Sequence, residues 1–146
     1  MIRRATAGDI PQLSHLFNAY RIFYRKPSDI NGAATFLEER IDRNESVIFV
    51  AEEKEILTGF TQLYPLFSST RMQRTWLLND LFVLADFRGK GISKELIDAA
   101  KVHAHKTSAA GILLETEKTN EVGNQLYPAT GFVLYNDTNF YWWDVK

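Results

Sequence analysis

Arg88, Gly89, Lys90 and Gly91 stand together in DFRGKGISKELIDAAK, residues 86–101, where an apolar stretch gives way to a helical pattern. Two glycines weaken the first turn of a helix, because glycine loses more backbone entropy on folding than alanine. In return, a helix start offers unpaired N–H groups and the positive end of a dipole, and glycine lets an anion approach them closely. Arg88 and Lys90 add positive charge. The same four residues also fit a plain helix start with a flexible turn and two solvated cations. Nucleotide patterns fit poorly. A P-loop needs Lys-Ser/Thr after its second glycine, whereas Ile92-Ser93 follows Gly91. A dinucleotide fingerprint follows the first strand of a parallel sheet, whereas this segment lies two-thirds along the sequence, after a hairpin pattern.

Other chemistries are excluded more simply. Without cysteine there is no disulfide framework, thiolate metal site or cysteine nucleophile. His15, His103 and His105 make no metal constellation, since His103 and His105 point to different sides of a helix, and no metal is expected. No Ser-His-Asp arrangement is supported. The net charge of -1 and the lack of a basic, aromatic-interleaved patch argue against nucleic acid as a partner. No apolar run approaches the length of a membrane span, and no signal peptide is visible behind Ile2-Arg3-Arg4. A cytoplasmic protein is the expectation, consistent with the absence of cysteine.

The elements that must position these residues come from periodicity. At 146 residues, 45% of them hydrophobic, a single domain spanning 1–146 is expected. A short strand at 2–4 precedes Thr6 and Asp9, which have capping-box spacing, and a helix with Ile10, Leu13, Leu16, Phe17 and Tyr20 on one face ends near Tyr24. Asp29 caps a second helix carrying Ala33, Phe36, Leu37 and Ile41. SVIFVAE (46–52) and ILTGFTQLY (56–64) read as a hairpin, 65–74 as a polar loop, and TWLLNDLFVL (75–84) as a third long strand. Ile92, Leu96, Ile97, Ala100 and Ala104 define a helix. GILLET (111–116) has the continuous apolar character of a strand covered on both faces. A helix over 120–130, stopped by Gly131 and shortened or bent by Pro128, and two closing strands at 132–135 and 139–145 complete an α/β or α+β sheet with helices on both faces.

Two motifs then resemble one family. Arg88-Gly89-Lys90-Gly91-Ile92-Ser93 resembles the pyrophosphate loop of the GNAT superfamily of acyl-CoA-dependent N-acetyltransferases, with Ser93 in place of the final small residue. NEVGNQLYPATGF resembles the second signature of that superfamily through Asn120, Gly123, Leu126, Tyr127, Gly131 and Phe132. The order of elements from Ile2 to Trp143 matches as well, so the resemblance covers nearly the whole sequence. It implies a mixed, mostly antiparallel sheet of about six to seven strands whose fourth and fifth strands (75–84 and 111–116) splay apart. It also implies acetyl-CoA as cofactor, with its pyrophosphate on Arg88 to Ser93. Leu81, Phe82 and Val83 would lie along its pantetheine arm in the manner of an added strand.

The resemblance also assigns chemistry. Acetyl transfer needs a neutral amine, a polarised thioester carbonyl and a protonated leaving thiolate. Tyr127 corresponds to the family tyrosine that protonates the sulfur, although a core tyrosine on an amphipathic helix would look the same. Asn120 corresponds to a residue that bonds the cofactor arm, or is simply a helix N-cap. Where related polyamine and lysine-type enzymes often carry a glutamate base, this protein has Asn79, so Asp80 is the nearest candidate base, directly or through a water. Strand alternation sends Asn79 and Asp80 to opposite faces unless a bulge intervenes. Phe23, Tyr24 and Arg25 are expected to line the acceptor wall with Asn79, with aromatic rings suited to a cationic amine. Arg21 and Arg25 are alternatives for a substrate carboxylate. Phe17 and Tyr20 are assigned to core packing. The expected function is acetyl transfer to a primary amine of a small molecule. A non-catalytic acyl-CoA-binding module, or acetylation of a protein N-terminus or lysine, remains open. The apolar run NFYWWDVK suggests a homodimer paired through C-terminal strands.

Overall fold

Side-chain alternation along one strand sets out the architecture of residues 1–146, all of which are described by the computed structural model. In β2 (Val47–Glu53), Ile48 and Val50 face one side, where α1 (Ile10–Phe23) and α2 (Ile30–Asp42) bury Leu13, Leu16, Phe17 and Leu37 against them. Phe49 and Ala51 face the other side, where α3 (Ile92–Lys106) buries Leu96 beside Val83. The period of two in the strand and of 3.6 in the helices thus yields helices on both faces, as expected.

The sheet runs β1 (Ile2–Arg4), β2, β3 (Ile56–Ser68), β4 (Gln73–Val83), β5 (Ile112–Leu114) in spatial order. Neighbours pair antiparallel except β4 and β5, which are parallel. After β5 comes α4 (Glu121–Ala129). The protein divides into two compact units, Met1–Glu115 and Thr116–Lys146.

Three expectations are corrected. The sheet has five strands, not six to seven, because 132–135 and 139–145 carry no regular structure despite their strand-like composition. A strand exists only when its N–H and C=O groups find a partner, and composition does not supply one. The polar segment 65–74 is not a loop. β3 continues to Ser68 and β4 begins at Gln73, with Pro65 opposite Trp76. Proline is tolerated there because the β2 pairing ends at Val47–Leu63, so its missing N–H falls on an open edge. Finally, β5 is three residues long and half-buried throughout, not covered on both faces.

The fourth and fifth strands part as expected. They pair only through Trp76–Ile112, Leu77–Leu113 and Leu78–Leu114, and β4 runs on to Val83 with no β5 partner.

Candidate functional site

β4 is the element on which the site is built. Leu84 N–H donates to the Thr58 carbonyl at 2.9 Å, which fixes the alternation. The backbone groups of Phe82 therefore face β3, and those of Leu81 and Val83 face the side that β5 has left. The Val83 carbonyl accepts from Arg88 Nε at 2.9 Å. The N–H and C=O of Leu81 and the N–H of Val83 remain as an open strand edge.

Beyond β4 the backbone makes a short 3-10 turn, Ala85–Phe87, and then the glycine loop. Gly89 (φ 75°) and Gly91 (φ 85°) both lie in the left-handed region, where an L side chain is strained. A Cβ at either would meet nothing within 4 Å, so the glycines border open space. Phe87 and Arg88 N–H close the turn onto Leu84 and Ala85, and Lys94 N–H returns to the Gly91 carbonyl at 3.0 Å. Between them the N–H groups of Gly89, Lys90, Gly91, Ile92 and Ser93 donate to no protein acceptor. Two glycines at a helix start are therefore repaid by a run of bare amides beside the dipole of a 15-residue helix. The two cations do not stand free beside that anion site, as their spacing in the sequence suggests. Arg88 lies over the rings of Phe82 (5.5 Å) and Phe23 (5.9 Å), and Lys90 over Phe87 at 4.9 Å.

Four residues upstream of Leu84, the register shifts: Gln62 opposes Asp80, and Leu63 opposes Leu78. Asn79 is the extra residue of a bulge, which lifts the alternation that would separate it from Asp80. The two side chains are joined, Asn79 Nδ2 donating to Asp80 Oδ1 at 2.9 Å. Asn79 is exposed, whereas Asp80 is 2% exposed. Asp80 Oδ2 accepts from Gln62 Nε2 at 2.6 Å, and its backbone carbonyl accepts from Thr61 Oγ1 at 2.8 Å. Burial pushes the Asp80 carboxyl above its ordinary range, against the opposing hydrogen bonds from Gln62, Asn79 and Tyr20. Burial, with Asp80 nearby, also pushes up the Tyr64 phenol.

The end of α1 brings the aromatic wall to this bulge. Tyr20 Oη donates to the Asn79 carbonyl at 3.2 Å. Its ring meets Tyr24 at 5.1 Å and Phe60 at 5.9 Å, so it serves the core as expected but ends in a polar contact that sequence reasoning missed. Phe23 is 52% exposed and touches Tyr24 (5.2 Å) and Phe82 (6.5 Å). Arg25 follows the helix in a left-handed conformation, φ 64°. Arg21 is tied to the next loop, donating to the Pro27 carbonyl at 3.0 Å. One unit thus gathers Phe23, Tyr24, Asn79, Asp80 and the glycine loop. Gln62, fully buried in an apolar strand, was the overlooked signal in the sequence, since a buried amide demands polar partners.

The second unit holds Asn120 and Tyr127. Asn120 caps α4, its Oδ1 accepting from Gly123 N–H at 3.1 Å while Nδ2 donates to Thr116 Oγ1 at 2.9 Å. A Cβ on Gly123 would come within 2.6 Å of Asn120 Nδ2, which explains the small residue three positions after the cap. Tyr127 is half-buried, its ring 6.0 Å from Phe132, whose N–H donates to the Tyr127 carbonyl at 3.0 Å.

Comparison with known proteins agrees with this geometry. A family model described as the acetyltransferase (GNAT) family matches residues 13–132. The N-acetyltransferase YhfO of Bacillus subtilis (strain 168), described as uncharacterized, is 45% identical over 139 residues, covering 95% of this chain and 92% of that protein. A probable acetyltransferase of Haemophilus influenzae is 36% identical over 113 residues, 77% of each protein. A crystal structure of a probable acetyltransferase superposes with TM-score 0.94 at 36% identity, over 100% of this protein and 98% of that one. The chain belongs to the GNAT acetyltransferase family and is an acyl-CoA-dependent N-acetyltransferase. The acetyl-CoA of that family fits the residues present: bare amides from Gly89 to Ser93 suit its pyrophosphate, and the open edge at Leu81 and Val83 suits its amide-bearing arm.

Proposed function

We propose that this acyl-CoA-dependent N-acetyltransferase, acting as a single domain over residues 1–146 in the cytoplasm, acetylates the primary amine of a small molecule. The acceptor is an amino acid, polyamine or related amine, and it attacks directly in a ternary complex. The observation that carries the acceptor class is the wall at the end of α1. The faces of Phe23 and Phe82 already hold a cation, the Arg88 guanidinium, and the half-exposed Phe23 stands on the same wall as the Asn79–Asp80 bulge. Aromatic faces that attract one cation attract an ammonium by the same quadrupole. No cysteine is present to carry an acyl group, which favours direct attack over a cysteine-linked intermediate.

Acetyl-CoA supplies the activated acyl group and a thiolate leaving group. Gly89 to Ser93 would bind its pyrophosphate by backbone donation, with Ser93 Oγ adding a further donor. Leu81, Phe82 and Val83 would align the arm. Asn120, which caps α4 in the second unit, takes its role toward the arm from the family resemblance. Phe23, Tyr24, Arg25 and Asn79 would orient the amine. Asp80 is the base in this reading, and Tyr127 holds at Oη the proton that the leaving group requires. Family resemblance supports the role of Tyr127.

A homodimer is part of the proposal. Phe140, Tyr141, Trp142, Trp143 and Val145 are each at least 70% exposed, and Val133, Leu134 and Tyr135 are exposed as well. Such a run in water is unfavourable, and a second copy of the protein, offering the short half-buried β5 as a sheet edge, is the occupant we assign.

Steady-state kinetics with polyamines, amino acids and an alanine-tipped peptide test the reading. Small amines are expected to turn over, and Phe23→Ala should raise their KM several-fold with little change in kcat. Turnover of the peptide alone would overturn it.

A further inference from the structure

We infer that Arg88 sets acceptor specificity: its guanidinium holds a carboxylate of the acceptor, so the preferred substrate is an amino acid whose terminal amine lies several bonds from that carboxylate. This rests on the N-acetyltransferase reading above and names the acceptor within it.

Arg88 stands first in the glycine loop, but its side chain leaves that loop. Its own N–H closes the turn onto Ala85 at 3.3 Å, and the amides without a protein acceptor begin at Gly89. The side chain turns back to β4 and α1. Nε donates to the Val83 carbonyl at 2.9 Å, and the guanidinium lies 5.5 Å from the Phe82 ring and 5.9 Å from that of Phe23. Those rings stand 6.5 Å apart. One hydrogen bond and two aromatic faces fix the plane of the group. No carboxylate of the protein pairs with Arg88, and Nη1 and Nη2 have no protein acceptor. Those two nitrogens are the edge by which a held guanidinium takes a carboxylate in a bidentate pair. The other arginines at the end of α1 are engaged: Arg21 donates to the Pro27 carbonyl at 3.0 Å, and Arg25 has a contact of its own.

The strand sets the length of the substrate. Phe82 packs on the α1 and α2 side of the sheet, and the register runs unbroken from Phe82 to Asp80, so both face that side. Asn79 and Asp80 lie three and two residues before Phe82, about 10 and 7 Å back along β4. An amine at the bulge and a carboxylate at Arg88 must span that gap. The α-amine of an amino acid is too close to its carboxylate to do so, whereas a side-chain amine reaches. A polyamine of equal length brings a second cation to the guanidinium, which repels it.

The test sets lysine against cadaverine, the same chain without the carboxylate, by kcat/KM at saturating acetyl-CoA. Wild type should prefer lysine about ten- to hundredfold, the worth of a charge-assisted pair, with the acetyl group on the terminal amine. Arg88→Gln should erase that preference, and Arg88→Glu should turn it toward cadaverine. Arg88→Lys should keep part of it, because the charge survives without the fork. Arg88 is exposed, so these variants leave the core untouched. Both amines draw on the same acetyl-CoA complex, so the ratio cancels any change in cofactor affinity. A wild type that does not prefer lysine, acetylation of its α-amine, or a ratio that Arg88→Gln leaves unchanged overturns the anchor. Loss of CoA affinity with the ratio kept would assign the guanidinium to a phosphate, and overturns it as well. If no amine is turned over at all, the function reading fails. Calorimetric titration of hexanoate, a carboxylate without an amine, into the CoA complex still decides the anchor. Wild type should bind it about tenfold or more tighter than Arg88→Gln, and equal or absent binding overturns the assignment.

Discussion

Replacing Gly91 by alanine separates the two jobs of that residue, because folding and anion binding respond through different terms. The new methyl meets no protein atom within 4 Å, so there is no clash to relieve. The backbone, at φ 85°, sits where an L residue costs about 1–2 kcal/mol. Alanine also restricts the unfolded state, which returns about 0.4–1 kcal/mol. The net loss is about 1 kcal/mol, a fall of roughly 3–4 °C in Tm for a protein of this size. Binding should suffer more. The methyl adds bulk to a loop whose amides from Gly89 to Ser93 have no protein acceptor, and loss of one charge-assisted hydrogen bond to a bound phosphate would cost about 1.5–3 kcal/mol. That corresponds to a ten- to hundredfold rise in the Kd of CoA. Calorimetric titration of CoA, beside thermal unfolding of the free protein, reads both numbers. A variant that loses about 3 °C but binds CoA as wild type does would refute the loop as an anion cradle.

Gly123→Ala should break the Asn120 cap, whose Nδ2 would lie 2.6 Å from the new Cβ, costing about 1 kcal/mol or more and read as a lower Tm. Burial raises the Asp80 carboxyl above its unfolded value, so the protonated form is the one the fold favours and stability falls as pH rises through the folded value. Asp80→Asn, which cannot ionise, should therefore match wild type at low pH and exceed it in Tm in alkaline buffer; a parallel pair of curves would contradict this. Asp9 is the opposite case, held down to about 2 chiefly by its Arg3 hydrogen bonds. Its contribution is full above the unfolded value and fades as pH falls toward about 2, so Asp9→Asn should lower Tm at pH 7 and have little effect near pH 2.

The parts legible in the sequence are those fixed locally. The hairpin of β2 and β3, the Asp29 and Asn120 caps and the α3 stripe each depend on residues within a few positions of one another, and each lies where expected. The glycine loop was legible because two left-handed residues demand glycine. What could not be read depends on distant pairing. Phe132 to Val145 has strand composition and no strand, because pairing needs an edge that composition does not name. The bulge at Asn79 arises from the register of β3 against β4, and it alone decides that Asn79 and Asp80 share a hydrogen bond. Tyr20 illustrates the same limit. Its ring obeys the helical stripe, while its hydroxyl finds Asn79 across 59 positions of sequence.

The most direct measurement mixes the protein with acetyl-CoA and each of a set of polyamines and amino acids, and follows thiol release together with the mass of the amine. Thiol release matched by an equal amount of acetylated small amine, well above the uncatalysed rate, is the predicted result. Tight binding of acetyl-CoA with no release for any small amine would contradict it.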